Sequence, residues 1–273
     1  MADEDTGSTT KDIVDSVKGI VEAIPIYEDM VQPAAKELGK GLVTIVKTVN
    51  LALAPLEGVV WGYEKIKAHF LPKVEDRLKN VSPNDIVTPK ISVAGPIIEA
   101  LRYTGAEESL SDLYANLLAT SMDKNTAINA HPAFTEIIKQ LTPDEAKLIS
   151  LFPNISSIPL IDITRKDNSK NRGSYITRYS NHSNFGESAE CEHLSLVPAY
   201  IDNLIRLGLI EIPAGQSYTA VEFYKPLEDS ELAKNFKTMI ENVPEHECHF
   251  NRKMAVITAL GRQFANVCVV KKS

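Results

Sequence analysis

Little in this chain points to reaction chemistry. Its 273 residues include three cysteines, one tryptophan and only 7% aromatic side chains. Cys191, Cys248 and Cys268 form an odd set without C-x-x-C spacing, which argues against an exported disulfide framework and fits a reducing compartment. Residues 1–10 are acidic and polar where a secretory signal would be basic and then apolar, so they read as a disordered acidic tail and not as an export signal. The expected location is cytoplasmic, with peripheral membrane association as the alternative.

Long apolar runs are scarce as well. The most apolar stretch, Gly41 to Trp61, holds Lys47, Asn50, Pro55 and Glu57, and its longest uncharged piece is the nine residues Thr48 to Leu56. A spanning helix needs roughly 20 mostly apolar residues, and each central charge costs about 2.5 to 3.5 kcal/mol on insertion scales. Two readings follow: a buried helix broken at Pro55, which this cost favours, or a membrane or partner contact made by Leu42, Val46, Leu51, Leu53, Val60 and Trp61.

Catalytic signatures are missing too. There is no G-x-S-x-G elbow, and Gly39-Lys40-Gly41 lacks both the spacing and the preceding strand of a phosphate loop. Cys191-Glu192-His193 and His246-Glu247-Cys248-His249 offer zinc-type ligands, but C-x-H leaves one intervening residue where two to four are usual. They read as surface histidines and an ordinary thiol. No catalytic residue, metal or cofactor is assigned from the sequence.

What is present is helical periodicity. Ile13, Val14, Val17, Ile20, Val21 and Ile24 share one face; a further amphipathic helix is expected over Lys65 to Asn80, and Pro83 and Pro89 then break continuity. Pro96 is placed to open a helix that Thr104-Gly105 closes. Ser109 is a candidate cap for a helix with the stripe Leu110, Leu113, Tyr114, Leu117, Leu118 and Met122. His131-Pro132 starts another helix, with Phe134, Ile137, Ile138 and Leu141 inward. Thr142-Pro-Asp-Glu145 then matches a capping box.

After Pro153 the pattern changes. Ile158 to Ile163 reads as a strand, and Thr164 to Phe185, rich in Asn, Ser, Lys and Arg, as an exposed mobile loop. A helix bearing Val197, Tyr200, Ile201, Leu204 and Leu207 stops at Gly208; Leu209 to Ile212 continues as a strand. Tyr218 to Tyr224 is expected as its partner strand, and Glu228 to Glu241 as an acidic helix with Leu232, Phe236, Met239 and Ile240 inward. Strand pattern resumes over Lys253 to Ile257, and Thr258 caps a last helix with Leu260, Phe264, Val267 and Cys268. The expected fold class is mainly α with a small antiparallel sheet (α+β): a helical domain at 11–140, then a winged-helix-like domain at 141–273.

Net charge is −7 but uneven: residues 1–141 carry 14 Lys+Arg against 20 Asp+Glu, whereas 142–273 carry 15 against 16. The acidity of the first half argues against a nucleic-acid groove there. In the second half Arg165, Lys166, Lys170, Arg172 and Arg178 face only Asp167, with Tyr175 and Tyr179 interleaved, which makes the expected loop a candidate interaction site. The presumed second helix of the winged module offers Arg206 beside Asp202 and Asn203, short of the basic stripe of a duplex reader.

Ile91-Ser-Val-Ala-Gly-Pro-Ile-Ile-Glu-Ala-Leu-Arg-Tyr103, Leu113-Tyr-Ala-Asn-Leu-Leu-Ala-Thr-Ser-Met-Asp123 and the run from His131 to Ala146 keep their order with the pair Leu204 to Ile212 and Val256 to Phe264. Over about Lys36 to Cys268 the chain resembles the bacterial abortive-infection alpha family. The resemblance implies defence against bacteriophage, in which an infected cell stops supporting viral growth, and it supplies no catalytic residues to carry over. Two departures stand out: Thr258-Ala-Leu-Gly261 replaces an expected Thr-Pro-Leu-Gly, and Glu228 to Glu241 looks inserted. The expected partner is a phage or host protein. Nucleic-acid binding, membrane contact on activation and a homo-oligomer remain open.

Overall fold

The computed structural model describes residues 65–168 and 174–271. The expected helix over Ile13 to Ile24, the apolar stretch Leu42 to Trp61, and Lys170 and Arg172 of the basic segment lie outside the described residues.

A π-helical turn, Ile66–Phe70, runs into α1 (Leu71–Leu78), followed by α2 (Ile91–Thr104), α3 (Glu108–Met122), α4 (Ala133–Ile138) and α5 (Pro143–Ser150). Strands β1 (Ser157–Asp167) and β2 (Ser174–His182) lead through α6 (Phe185–Ser188) to α7 (Val197–Arg206) and β3 (Ile210–Glu211). Next come α8 (Lys225–Glu228), α9 (Glu231–Glu241), β4 (His246–Ile257) and α10 (Ala259–Cys268).

Helix α3 organises the helical part. Its expected stripe is buried, and so are Ser111, Ala115, Asn116, Ala119, Thr120 and Ser121 on its other sides, because α1, α2, α4, α5 and α10 surround it. A helix closed in on all sides needs small residues between its large ones so that neighbours can approach. The main buried cluster runs without a break from Ile66 through α3 to Leu204, Phe264 and Cys268, so α10 closes on helices from the first half of the chain. Phe264 meets Phe134 edge to face at 5.4 Å.

The sheet is antiparallel in the order β2-β1-β4-β3. β1 and β4 pair from Ser157 with Val256 to Asp167 with His246. Period-two alternation then separates the faces. Ile158 and Leu160 enter the main core. Ile161 packs on Tyr224 and Leu227, and Ile163 on Ala233 and Ile240, so α8 and α9 cover the opposite face. Tyr224 is locked there: its hydroxyl donates to the Lys253 carbonyl at 3.0 Å and accepts from the Tyr218 N–H at 2.9 Å.

Several expectations need correction. Thr164 to Phe185 is no loop, since most of it belongs to the long β1 and β2. Tyr218 to Tyr224 forms no strand; Val221–Phe223 is a 3-10 turn, and the Tyr224 hydroxyl fixes the chain before it. Pro96 lies inside α2, which begins at Ile91, and Ser109 lies inside α3, whose N-cap is Glu107. The acidic helix starts at Glu231, three residues later than expected, where Ser230 caps α9. Met239 and Leu260, expected inward, are 50% and 40% exposed, because the small Ala233 and Gly261 make the close approaches on those helices. The capping box at Thr142 and Glu145, the stop at Gly208 (φ 72°) and the Thr258 cap are present as read.

Candidate functional site

The basic segment is built on strands. Arg165 and Lys166 lie next to each other on β1 and therefore point to opposite faces. Arg178 lies on β2 at an irregularity: Ile163 pairs with Tyr179 and Thr164 with Thr177, leaving Arg178 as the extra residue of a bulge. The sequence brings these three to one arm of the sheet, though not to one face.

Their environments differ. Lys166 faces Glu247 at 3.6 Å, and Glu247 also contacts His249 at 3.2 Å. The Asn168 side-chain amide, then His249 and Lys166, hold the Glu247 carboxyl below its usual range. Arg178 is exposed and has no anionic partner among the described residues. Arg165 is half-buried opposite Cys248 and Ile176, and its Nε is enclosed without a hydrogen-bond partner. Beside them Tyr175 is 62% exposed and Ile176 42%. Tyr175 keeps one edge on His249, with ring centroids 5.6 Å apart.

The helix that a winged module would offer to a groove is otherwise engaged. Arg206 on α7 donates to Asn203 Oδ1 and, through Nη1, to Gln140 Oε1 at 2.9 Å. Asp202 accepts from the Asn181 side chain at 2.7 Å, so the end of β2 lies against α7. Asn203 donates to Glu145 Oε1 at 2.7 Å, and Glu145 also closes the capping box. These bonds fasten α7 to α5.

Asp144 is a second fastening in the same region. Its carboxylate accepts from the N–H groups of Glu192 and His193, each at 2.9 Å, and pairs with Lys147 at 3.0 Å. Burial alone would raise its pKa; the two backbone donors and Lys147 outweigh that and bring it down to about 2. Cys191 is buried here and donates its thiol toward the Asp144 carbonyl at 3.6 Å; burial, then the Asp144 charge, push the thiol up to about 11. Among the described residues no three His, Cys, Asp or Glu side chains are grouped to hold a metal ion.

Two arrangements carried no sequence signal. His182 Nε2 lies 2.9 Å from Ser230 Oγ, a nucleophile and base distance. Ser230 is already committed, however: it donates to the Leu227 carbonyl at 2.8 Å and accepts from the Ala233 N–H at 3.2 Å as the cap of α9. A half-open cleft of about 490 Å³ lies between α3 and α10, lined by Thr120, Thr126, Asn129, Arg262, Gln263 and Asn266 among others. Its polar lining comes from separate segments of the chain, which no local motif records. Among the described residues no helix is long and apolar enough to cross a membrane.

Comparison with curated proteins returns no match. Among solved structures, the chain is similar to an uncharacterized protein from the hydrocarbon-degrading marine bacterium Alcanivorax borkumensis SK2. The identity is 19%, covering 54% of this chain and 96% of that one, and the TM-score of 0.34 carries no argument about fold or function. The model of the abortive infection alpha family matches residues 62–268, which takes in α1 to α10 and the whole sheet. The chain therefore belongs to the abortive infection alpha family.

Proposed function

We propose that the protein acts in abortive-infection defence against bacteriophage by recognising a phage or host protein through the β1–β2 arm, without a reaction centre of its own. The observation that carries this reading is the state of Arg165 and Arg178: two guanidinium groups without anionic partners among the described residues, beside the exposed Tyr175 and Ile176. Arginine and tyrosine are the side chains that most often anchor protein interfaces. The arm is anchored at its base, because the opposite end of β1 is sewn into the main core by Ile158 and Leu160.

The order α7, Gly208, β3, β4, Thr258, α10 fits a winged-helix-like layout. Arg206 and Asp202 are bonded within the protein, which supports protein contact over duplex reading. In cells expressing the chain, phage plating efficiency is expected to fall, and Tyr175→Ala with Arg178→Glu to restore it while the protein stays folded. Unchanged plating with the wild-type chain removes the defence role. Full protection by the folded double variant removes the arm.

A further inference from the structure

β2 is an outer strand of the sheet. The order β2-β1-β4-β3 leaves one side of Ser174–His182 without a strand partner among the described residues, and Ser174 to Arg178 are all exposed. An unpaired edge presents a row of N–H and C=O groups on which another extended chain can template itself. Natural edges are commonly blunted by charge or by a bulge. Here the bulge falls at Arg178, so the stretch from Ser174 to Thr177, in plain register with Asp167 to Thr164, stays straight.

The side chains next to this edge define what it fits. Arg165 shares the α9 side of the sheet with Ile176, its direct partner on β2. Its Nε is enclosed without a hydrogen-bond partner, and no ion pair with a described residue engages the guanidinium. Arg178 ends the straight stretch, and Ile176 offers an exposed apolar contact between the two cations. Lys166 plays no part, because Glu247 already faces it on the other side.

Resting on the reading of the arm as a recognition surface, we propose that the β2 edge at Ser174–Thr177 receives an extended acidic segment of the partner protein as a fifth strand. Main-chain bonds supply the pairing, and carboxylates on alternate residues, all on one face of the added strand, reach toward Arg165 and Arg178 while their methylenes lie over Ile176. A second copy of this chain is a poor occupant. Edge-to-edge pairing would gather Arg165 and Arg178 of both chains into one strip, and like charges facing across strands repel.

The probe is an alternating glutamate–valine octapeptide added to the full chain, with a lysine–valine octapeptide as control. The acidic peptide is expected to slow amide exchange at alternate residues of Ser174–Thr177, and the basic one to leave it unchanged. Arg165→Glu with Arg178→Glu should weaken the acidic peptide about tenfold or more. Because Arg165 has a buried atom, the milder Arg178→Gln is measured in parallel and should weaken binding several-fold. Equal binding of both peptides, protection elsewhere than on β2, or affinity unchanged in Arg178→Gln each overturns the proposal. Phage protection lost in Arg178→Gln while wild-type protein ignores the acidic peptide overturns strand addition alone and leaves recognition by the arm standing. Protection retained in a folded charge-reversed chain overturns both.

Discussion

The side-chain amide of Asn116 donates to the carbonyl oxygen of Cys268, 2.7 Å away and 152 residues further along the chain. It reaches the Val269 carbonyl as well, at 3.2 Å, and so supplies donors to the end of α10, where carbonyls lack helical partners. The Asn116 oxygen accepts from Arg77 Nε, and Arg77 Nη2 pairs with Asp112 at 2.9 Å. One buried amide thus joins α1, α3 and α10.

Asn116→Leu should therefore cost far more than a surface change. It leaves a buried guanidinium and two carbonyls short of partners, a loss of about 3 kcal/mol or more. A urea midpoint lowered in proportion checks this. A midpoint within error of wild type would show that the amide does not hold the three helices together.

Asp144 gives the fold a dependence on acid. Its folded pKa of about 2 lies below its ordinary value of 3.8, so its contribution is complete above the ordinary value and is lost as pH falls toward 2. The shift corresponds to about 2 kcal/mol. Asp144→Asn should lower stability at neutral pH and flatten the stability curve between about pH 4 and 2. Unfolding curves taken across that interval for both proteins provide the measurement.

Gly208 and Gly261 differ in what a methyl group would meet. At Gly208 the backbone is left-handed, φ 72°, but its surroundings are open, with Leu260 at 3.6 Å; alanine should cost about 1 to 2 kcal/mol. At Gly261 a Cβ would stand 2.0 Å from the Leu209 carbonyl oxygen, so α10 must shift off β3. Thermal unfolding should rank Gly261→Ala well below Gly208→Ala. The reverse order would contradict this packing.

The Ser230 and His182 pair separates capping from catalysis. Ser230→Ala removes the α9 cap and should cost about 1 kcal/mol, while phage protection persists at a temperature where the variant is folded. Protection abolished in a folded variant that keeps wild-type exchange on α9 would point to chemistry at the hydroxyl.

The helical core was legible because its signals are local and repeated. Thr142 and Glu145 stand at capping-box spacing, Thr258 stands three residues before Gly261, and Leu204 and Phe264, read as inward, are themselves completely buried. β2 was illegible for a physical reason: Ser174 to Ser180 have no buried member, so no apolar alternation marks the strand. The cap at Ser230 rests on bonds only three residues to either side, whereas the enclosure of Arg165 Nε depends on strand pairing with Cys248, dozens of residues away. The basic residues of the candidate site were visible by type; their division between two faces required the register.

The pairing of Ser157 with Val256 sets an order of assembly on the ribosome. β1 and β2 are near neighbours and can zip into a hairpin as soon as both have emerged, whereas β1 cannot meet β4 before the ribosome has finished Ile257. Contacts so distant in sequence form late. Through most of its synthesis the central strand keeps an unsealed flank, and the nascent chain is expected to engage chaperones until β4 arrives.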